Sequence, residues 1–244
     1  MSALPEGPHE AKVEELTLSV EGTPVRCLHA RPVGTALAGL VVAPDLAGLR
    51  PLYEDICRRL ASHGFAVCAV EYFSRLESAA GTHLDLDARL ARAPQLYDEV
   101  ILEDLAEAAD HLAAVDHVHG ASVLGFCNGG AYALKAAATG RFERSVAFYG
   151  MVRTPPQWRG GGQHDALDGL ASACPTLAIF GDADTWVPPE DVEAVRAAFA
   201  GRPDHRVVVY RGAEHGFAHD PDRPAHRVAD AADAWHRALA FLLE

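Results

Sequence analysis

A cysteine framed by glycines is the residue of this sequence best suited to covalent chemistry. In LGFCNGGAYAL, Cys127 lies between Gly125 and Gly129, directly after the apolar run ASVLGF. On its own, Asn128-Gly129 would indicate a β-hairpin turn. The residues that follow, AYALKAAATG, are strong helix formers. The sequence therefore predicts a strand, a tight turn at the cysteine and a helix.

This predicted geometry has a chemical consequence for Cys127. A residue at such a turn takes a positive φ, and glycines two positions before and after it remove Cβ atoms that would crowd the backbone. The dipole of the following helix favours the thiolate. Gly-x-Cys-x-Gly thus predicts a nucleophile elbow with sulfur in place of the usual serine. The alternative is a buried cysteine at a strand end, with glycines nearby by chance.

Two later segments supply partners for a nucleophile in the order acid, then histidine. Asp184 follows the apolar run TLAIFG, and His215 follows RVVVY and Gly212. The carboxylate would orient the imidazole, and the imidazole would transfer the proton. Asp182 is an alternative acid, but it lies nearer the strand and suits a turn better.

The elements that must position these residues alternate along the chain. Short β-branched runs are separated by Ala/Leu-rich segments with helical spacing, which predicts an α/β fold with a mostly parallel sheet and helices on both faces. We expect one domain, with edge strands in residues 1–38 and the core in 39–244. The predicted helices are residues 52–62, 95–114, 129–138, 190–200 and 225–243. Residues 153–169 are expected to form an irregular surface loop, with a lid as the less favoured alternative.

Composition narrows the classes of function. A formal net charge of -13 would repel nucleic acid and acidic membrane surfaces. No uncharged run approaches the ~18 residues of a membrane helix, and no secretory signal is recognisable, so we expect a cytoplasmic protein. The five cysteines lack CxxC spacing, which argues against disulfides and structural zinc. His117 and His119 could bind a metal, but no third ligand accompanies them, so no metal or other cofactor is expected.

The three segments GFCNGG, GDADTWVPPE and GAEHGF, in this order, resemble the signature segments of the dienelactone hydrolase family within the α/β-hydrolase superfamily. The resemblance extends from about residue 40 to the C-terminus. It implies an α/β-hydrolase fold and a hydrolase of small esters or lactones that needs no cofactor. By the same resemblance, Cys127 is the nucleophile, Asp184 the acid and His215 the base.

The resemblance also assigns supporting roles near the nucleophile. Asp45, in VVAPDLAG, occupies the position of an acid that activates the thiol, although relatives commonly have glutamate there; the alternative is a turn residue. The oxyanion hole of such folds uses the N–H after the nucleophile and one from an early loop, which indicates the backbone of Asn128 and Leu46.

Candidate substrate-binding residues come from the same family pattern. Relatives hold a substrate carboxylate with arginines, a role that Arg89 or Arg92 could fill here, while His219 takes the place of another. Tyr72 and Trp186 lie near predicted strand ends and could line the pocket, although simple packing is an equal alternative.

The leading hypothesis is a hydrolase that cleaves a small carboxylic ester or lactone through a Cys127 thioester. A thioesterase or acyltransferase with the same triad is the first alternative, and a non-catalytic binding protein on a hydrolase scaffold is the second. The expected partner is a small-molecule substrate, and either a monomer or a homodimer is compatible with the sequence.

Overall fold

Eight strands form one mixed sheet in this computed structural model, which describes residues 2–80 and 83–244. The strands lie in the order β1-β2-β4-β3-β5-β6-β7-β8. The first two strands are antiparallel, β2 pairs antiparallel with β4, and all remaining pairs are parallel. The predicted mostly parallel sheet is therefore confirmed. The strand bounds are β1 (Ala11–Val20), β2 (Thr23–Pro32), β3 (Ala38–Ala43), β4 (Phe65–Val70), β5 (Ala121–Phe126), β6 (Ser145–Phe148), β7 (Thr176–Gly181) and β8 (Arg206–Tyr210).

Helices cover both faces of this sheet, as predicted. The apolar side chains of α1 and α7 pack with one face, whereas those of α4, α5 and α6 pack with the other. Strands β3, β4, β5 and β7 are buried or nearly so along their whole length, as expected for parallel strands covered on both sides. The helix bounds are α1 (Pro51–Ser62), α2 (Ser74–Ala80), α3 (Leu86–Arg92), α4 (Asp98–Asp116), α5 (Asn128–Ala137), α6 (Pro189–Ala198) and α7 (Val228–Leu242).

Several short helical segments depart from the sequence prediction, among them a 3-10 helix at Ala93–Gln95 before α4. Helices α2 and α3, each seven residues long, were not predicted, because two turns are too few for a clear helical period. A 3-10 helix, Ala166–Ser172, overlaps the end of the segment 153–169, so the prediction that this segment lacks regular structure was wrong there. Burial of Ala166 and Leu170 holds this short helix against the core.

The carboxyl ends of the parallel strands bring the candidate site together. Asp45 follows β3, Cys127 follows β5, Asp184 follows β7 and His215 follows β8. Because these strands run in one direction, the four residues lie at one edge of the sheet, where α/β proteins bind their ligands. Within residues 2–80 and 83–244, no helix is both long and apolar enough to cross a bilayer.

Candidate active site

The backbone at Cys127 has the conformation of a nucleophile elbow. Its φ is 56° and its ψ is -118°, and α5 begins at the next residue. A Cβ on Gly125 would collide with the carbonyl oxygen of Gly129, and one on Gly129 would collide with that of Ala43. Both glycines are therefore required by the close approach of backbone on each side of the cysteine.

Two backbone amides near Cys127 lack a partner among the described residues. Within the described chain, the N–H groups of Asn128 and Leu46 have no hydrogen-bond acceptor. Asn128 is the first residue of α5, where the helix dipole adds positive potential. Leu46 lines the same cavity as Cys127. Both unpaired amides thus lie at the edge of the sheet where Cys127 is found.

Asp184 and His215 form a hydrogen-bonded pair beside the cysteine. Oδ2 of Asp184 lies 2.8 Å from Nδ1 of His215. Oδ1 of the same carboxylate accepts the backbone N–H groups of Trp186 at 2.7 Å and Val187 at 3.3 Å. The competing acid, Asp182, instead accepts a backbone N–H from Gly212, which is the turn role expected for it. Asp184 is thus fixed by its own loop and presents one oxygen to the imidazole.

His215 is set up to carry a positive charge next to sulfur. Its burial opposes that charge, but the charge interaction with the Cys127 sulfur and the hydrogen bond that Nδ1 donates to Asp184 outweigh burial and raise the pKa of His215 to about 10. Nε2 of His215 is sealed from solvent, and the ring's other polar neighbour besides Asp184 is the Cys127 sulfur, whose hydrogen bond with the ring also raises the pKa of His215.

Asp45 is engaged by groups other than the cysteine. Its Oδ1 and Oδ2 accept from Arg50 Nη1 at 2.7 Å and Nη2 at 2.9 Å, and Oδ2 also accepts from His219 Nε2 at 2.7 Å. Among described residues, no hydrogen bond joins Asp45 to Cys127. Burial would raise the pKa of Asp45, yet the bonds from His219 and Arg50 prevail and hold that pKa well below its usual range. The position assigned to a thiol-activating acid therefore carries a buried ion pair.

His219 is fully buried behind Asp45 and was wrongly expected to contact substrate. Its Nδ1 lies 2.6 Å from the hydroxyl of Tyr149. Because a carboxylate only accepts, Nε2 donates to Asp45 and the neutral ring accepts from Tyr149. Complete burial lowers the pKa of His219, and the charges of Arg50 and Arg223 act in the same direction against the raising effect of Asp45.

The candidate arginines were wrongly assigned. Arg89 is fully buried and donates to Glu71 at 2.8 and 3.0 Å and to Glu77 at 2.6 Å, so its guanidinium is not available to a substrate. Arg92 is half-buried and lies outside the lining of the cavity. The paired glutamates, rather than any ligand, account for the position of Arg89.

A cavity of about 360 Å³ opens over Cys127 and His215. Trp186 lines this cavity, which is the first of the two alternatives given for it. Tyr72 is buried outside the lining, and its hydroxyl accepts from Asn128 Nδ2 at 3.3 Å. The other lining residues are Asp45, Leu46, Ala47, Arg50, Leu86, Leu90, Trp158, Asp220 and Arg223.

Arg50 and Arg223 are site residues that sequence reasoning missed. Arg50 bridges Asp45 and Asp220, its Nη2 lying 3.3 Å from Asp220 Oδ2. Arg223 is half-buried and forms no ion pair with any residue the structure describes. In the sequence, only their positions could have indicated this. Arg50 follows Asp45 in the same loop, and Arg223 lies in DPDRP, shortly after His215.

The histidines considered for metal binding lie elsewhere. His117 directly follows α4 with a positive φ of 56°, and His119 lies in the loop between α4 and β5. Across the described ranges, no group of three or more His, Cys, Asp or Glu side chains is arranged to hold a metal ion.

Comparison with known proteins identifies the family of this chain. The model of the dienelactone hydrolase family matches residues 25–244. The "Carboxymethylenebutenolidase" of Rhodococcus opacus is 30% identical over 89% of this chain and 85% of its own. A relative from Escherichia coli K12, named "Putative carboxymethylenebutenolidase", is 30% identical over 98% of this chain and 90% of its own.

The fold of this chain is similar to that of a solved structure over nearly the whole length of both chains. The crystal structure of a "Putative Dienelactone Hydrolase" from Klebsiella pneumoniae superposes with a TM-score of 0.86 at 26% identity, covering 96% of this chain and 99% of that one. A family match over residues 25–244 and relatives at 30% identity establish the relationship. The chain therefore belongs to the dienelactone hydrolase family and is a lactone or ester hydrolase.

Proposed function

We propose that this enzyme cleaves a small carboxylic ester or lactone through a thioester on Cys127, with His215 as proton carrier and Asp184 as its orienting acid. The observation that carries the proposal is His215 itself. Nδ1 of its ring is bound to Asp184, the rest of the ring is buried next to the Cys127 sulfur, and interactions with that sulfur and with Asp184 raise the pKa of His215 to about 10. A carboxylate-held histidine beside a cysteine is the arrangement that activates a nucleophile and supplies its acid.

In the first half-reaction, the Cys127 sulfur attacks the substrate carbonyl carbon and forms a carbon–sulfur bond. The negative charge moves to the carbonyl oxygen, where the N–H groups of Leu46 and Asn128 would stabilise it. As the tetrahedral intermediate collapses, the ester carbon–oxygen bond breaks, and His215 gives its Nε2 proton to the leaving oxygen. An alcohol departs, or in a lactone the ring opens, and an acyl-thioester remains.

In the second half-reaction, His215 accepts a proton from water as that water attacks the thioester carbon. The carbon–sulfur bond then breaks and returns the thiolate, while the carboxylic acid leaves. His215 ends as the imidazolium with which the cycle began. The net change is the addition of one water across the ester bond, and no cofactor takes part.

Arg223 is the group we assign to an anionic substituent on the substrate. It lines the cavity with Cys127 and His215, and within the described chain its guanidinium has no carboxylate partner. Arg50, in contrast, is already matched by Asp45 and Asp220. A free guanidinium can hold a carboxylate through two hydrogen bonds.

The experiment compares p-nitrophenyl acetate and an enol lactone as substrates of wild type, Cys127→Ala and Cys174→Ala. Cys174 is a suitable control because it is half-buried, lies outside the cavity, and burial raises the pKa of its thiol to about 11. We expect Cys127→Ala to lose turnover of both substrates and Cys174→Ala to retain it. Equal turnover by wild type and Cys127→Ala would exclude the thioester mechanism.

The same reaction, run with an added alcohol acceptor, separates hydrolase from acyltransferase. Release of free acid at an unchanged rate favours hydrolysis, whereas preferential formation of a new ester would show that acyl transfer is the physiological reaction.

A further inference from the structure

Two stacked tryptophans form one wall of the catalytic cavity. The rings of Trp158 and Trp186 have centroids 5.1 Å apart and an interplanar angle of 24°. Trp158 is only 6% exposed, whereas Trp186 is 40% exposed and its ring centroid lies 6.3 Å from that of His215. The pair therefore presents one supported, accessible indole next to the reacting groups.

The position of Trp186 is fixed by the same carboxylate that holds the histidine. Its backbone N–H donates to Asp184 Oδ1 at 2.7 Å, while Asp184 Oδ2 is bonded to His215. Asp184 is buried. The distance between the indole and the reacting groups is therefore set by one short, hydrogen-bonded turn.

Trp158 is held in place by a loop that is tied to the rest of the fold. The backbone N–H of Asp98 donates to Gly162 at 2.8 Å, and the Asp98 carboxylate accepts the N–H of His164 at 2.7 Å. Gln163 donates to the backbone of Ala93 at 2.6 Å. Because both rings are positioned before substrate arrives, little ordering is lost when a ligand stacks on them.

Apolar and charged side chains line the cavity together with the tryptophan pair. Leu86 is half exposed and lines the cavity with Leu90, so two large exposed apolar side chains, Leu86 and Trp186, border the same space. Converging exposed apolar groups indicate a ligand site. Arg50 and Arg223 lie among the remaining lining residues. Trp186 also borders a second cavity of about 450 Å³, which gives a bound group room to extend.

We propose that Trp158 and Trp186 form a subsite for a planar aromatic ring, so that the preferred substrates are esters with an aryl group attached to the acyl or alcohol part. Aromatic rings stack on indole with a preference over saturated rings of equal size. This inference rests on the proposed ester hydrolysis and specifies its substrate class.

The test uses two pairs of esters that differ only in the ring. Benzyl acetate and cyclohexylmethyl acetate vary the alcohol, and methyl phenylacetate and methyl cyclohexylacetate vary the acyl group. We expect kcat/KM of the aromatic member to exceed that of its saturated partner by about five- to tenfold in at least one pair. The ratio should fall to near one in Trp186→Leu and persist in Trp186→Phe.

Val228→Ala is the control, since Val228 is a highly exposed apolar residue outside the cavity and should leave the ratio unchanged. If Trp186→Leu does not fold, Trp186→Met removes the ring with an unbranched side chain. A wild type without preference in either pair, or a preference that survives loss of the ring, overturns the subsite. The ratio compares two esters in one variant, so this failure is distinct from the failure of the thioester mechanism, which Cys127→Ala reports.

Discussion

Two aspartate–histidine pairs lie within the same region of this enzyme, and the pKa values of their histidines are shifted in opposite directions. Asp184 and His215 are joined at 2.8 Å, and Asp45 and His219 at 2.7 Å. Yet the pKa of His215 is raised to about 10, whereas that of His219 is lowered. A short bond to a carboxylate therefore does not decide the charge of a histidine here.

The difference comes from the third partner of each pair. His215 faces the Cys127 sulfur, whose negative charge favours imidazolium. His219 is completely buried, its second nitrogen accepts from the Tyr149 hydroxyl, and Arg50 already neutralises Asp45. If His219 were protonated, its positive charge would have no second negative charge to balance it. We expect the first pair to carry protons and the second to hold structure.

Exchange of each histidine for glutamine should separate these roles most strongly. His215→Gln removes the proton carrier and should lower kcat/KM for p-nitrophenyl acetate by about 10³-fold, within the range for loss of a general base. His219→Gln leaves that group in place and should cost less than about tenfold. Steady-state kinetics, with thermal unfolding as a check of folding, provides the comparison. A larger loss in His219→Gln than in His215→Gln would reverse the assignment.

Neutralising Asp45 should affect stability more than any other single change to the second pair. Asp45→Asn leaves the Arg50 charge partly buried and poorly matched, which should lower the free energy of unfolding by about 3 kcal/mol. Urea denaturation measures the change. Glu15→Gln, which breaks an exposed ion pair with Arg26, is the control and should change stability by less than about 1 kcal/mol. A loss in Asp45→Asn as small as that of the control would contradict the structural role.

The two histidines should give stability opposite dependences on pH. His215 has a raised pKa, so its contribution is complete below about 6.5, the usual value of the unfolded chain, and is lost as pH rises towards about 10. His219 has a lowered pKa, so below about pH 6.5 the unfolded chain binds a proton that the folded chain refuses, and stability falls. Urea midpoints from pH 5 to 10 should show both slopes.

Variants assign each slope to its residue. His219→Gln should flatten the acidic side alone, and Cys127→Ala should weaken the alkaline side, because the sulfur charge that raises the pKa of His215 is gone. Proton NMR titration of His215 in Cys127→Ala should give a pKa nearer its usual range. An unchanged pKa would show that the sulfur is not the cause.

Removal of the Tyr149 hydroxyl, which lies between the two pairs, should have the smallest effect on stability and activity. Tyr149 donates to His219, and its ring centroid lies 5.2 Å from that of His215. Tyr149→Phe keeps the ring contact and removes one buried hydrogen bond, so the free energy of unfolding should fall by about 1 kcal/mol. The value of kcat should change less than about threefold. A large fall in kcat with unchanged stability would move Tyr149 into the catalytic chemistry.

Part of the fold and of the site could be predicted from the sequence alone. The placement of Cys127, Asp184 and His215 was predictable, because each follows an apolar strand and helix-forming residues after Gly130 exclude a hairpin. The Asp45–His219 pair was not predictable, because it joins residues 174 positions apart through side chains alone. The error at Arg89 has the same origin: only the fold brings Glu71 and Glu77 to its guanidinium.

The residue types of Asp45 and His219 led to two further wrong predictions. An acid at the end of β3 and a histidine shortly after His215 both suggested contact with thiol or substrate. Asp45 and His219 instead form a buried hydrogen-bonded network with Arg50. Among the described side chains that line the cavity, Arg223 is the arginine without an ion pair.

The most direct test of the account is to trap the acyl-enzyme. Wild type is mixed with p-nitrophenyl acetate, quenched in acid within the first turnover, digested and analysed by mass spectrometry. We expect one acetyl group on the peptide containing Cys127, and none in Cys127→Ala. Rapid turnover without acetyl-cysteine, or with full activity in Cys127→Ala, would contradict the proposed thioester mechanism.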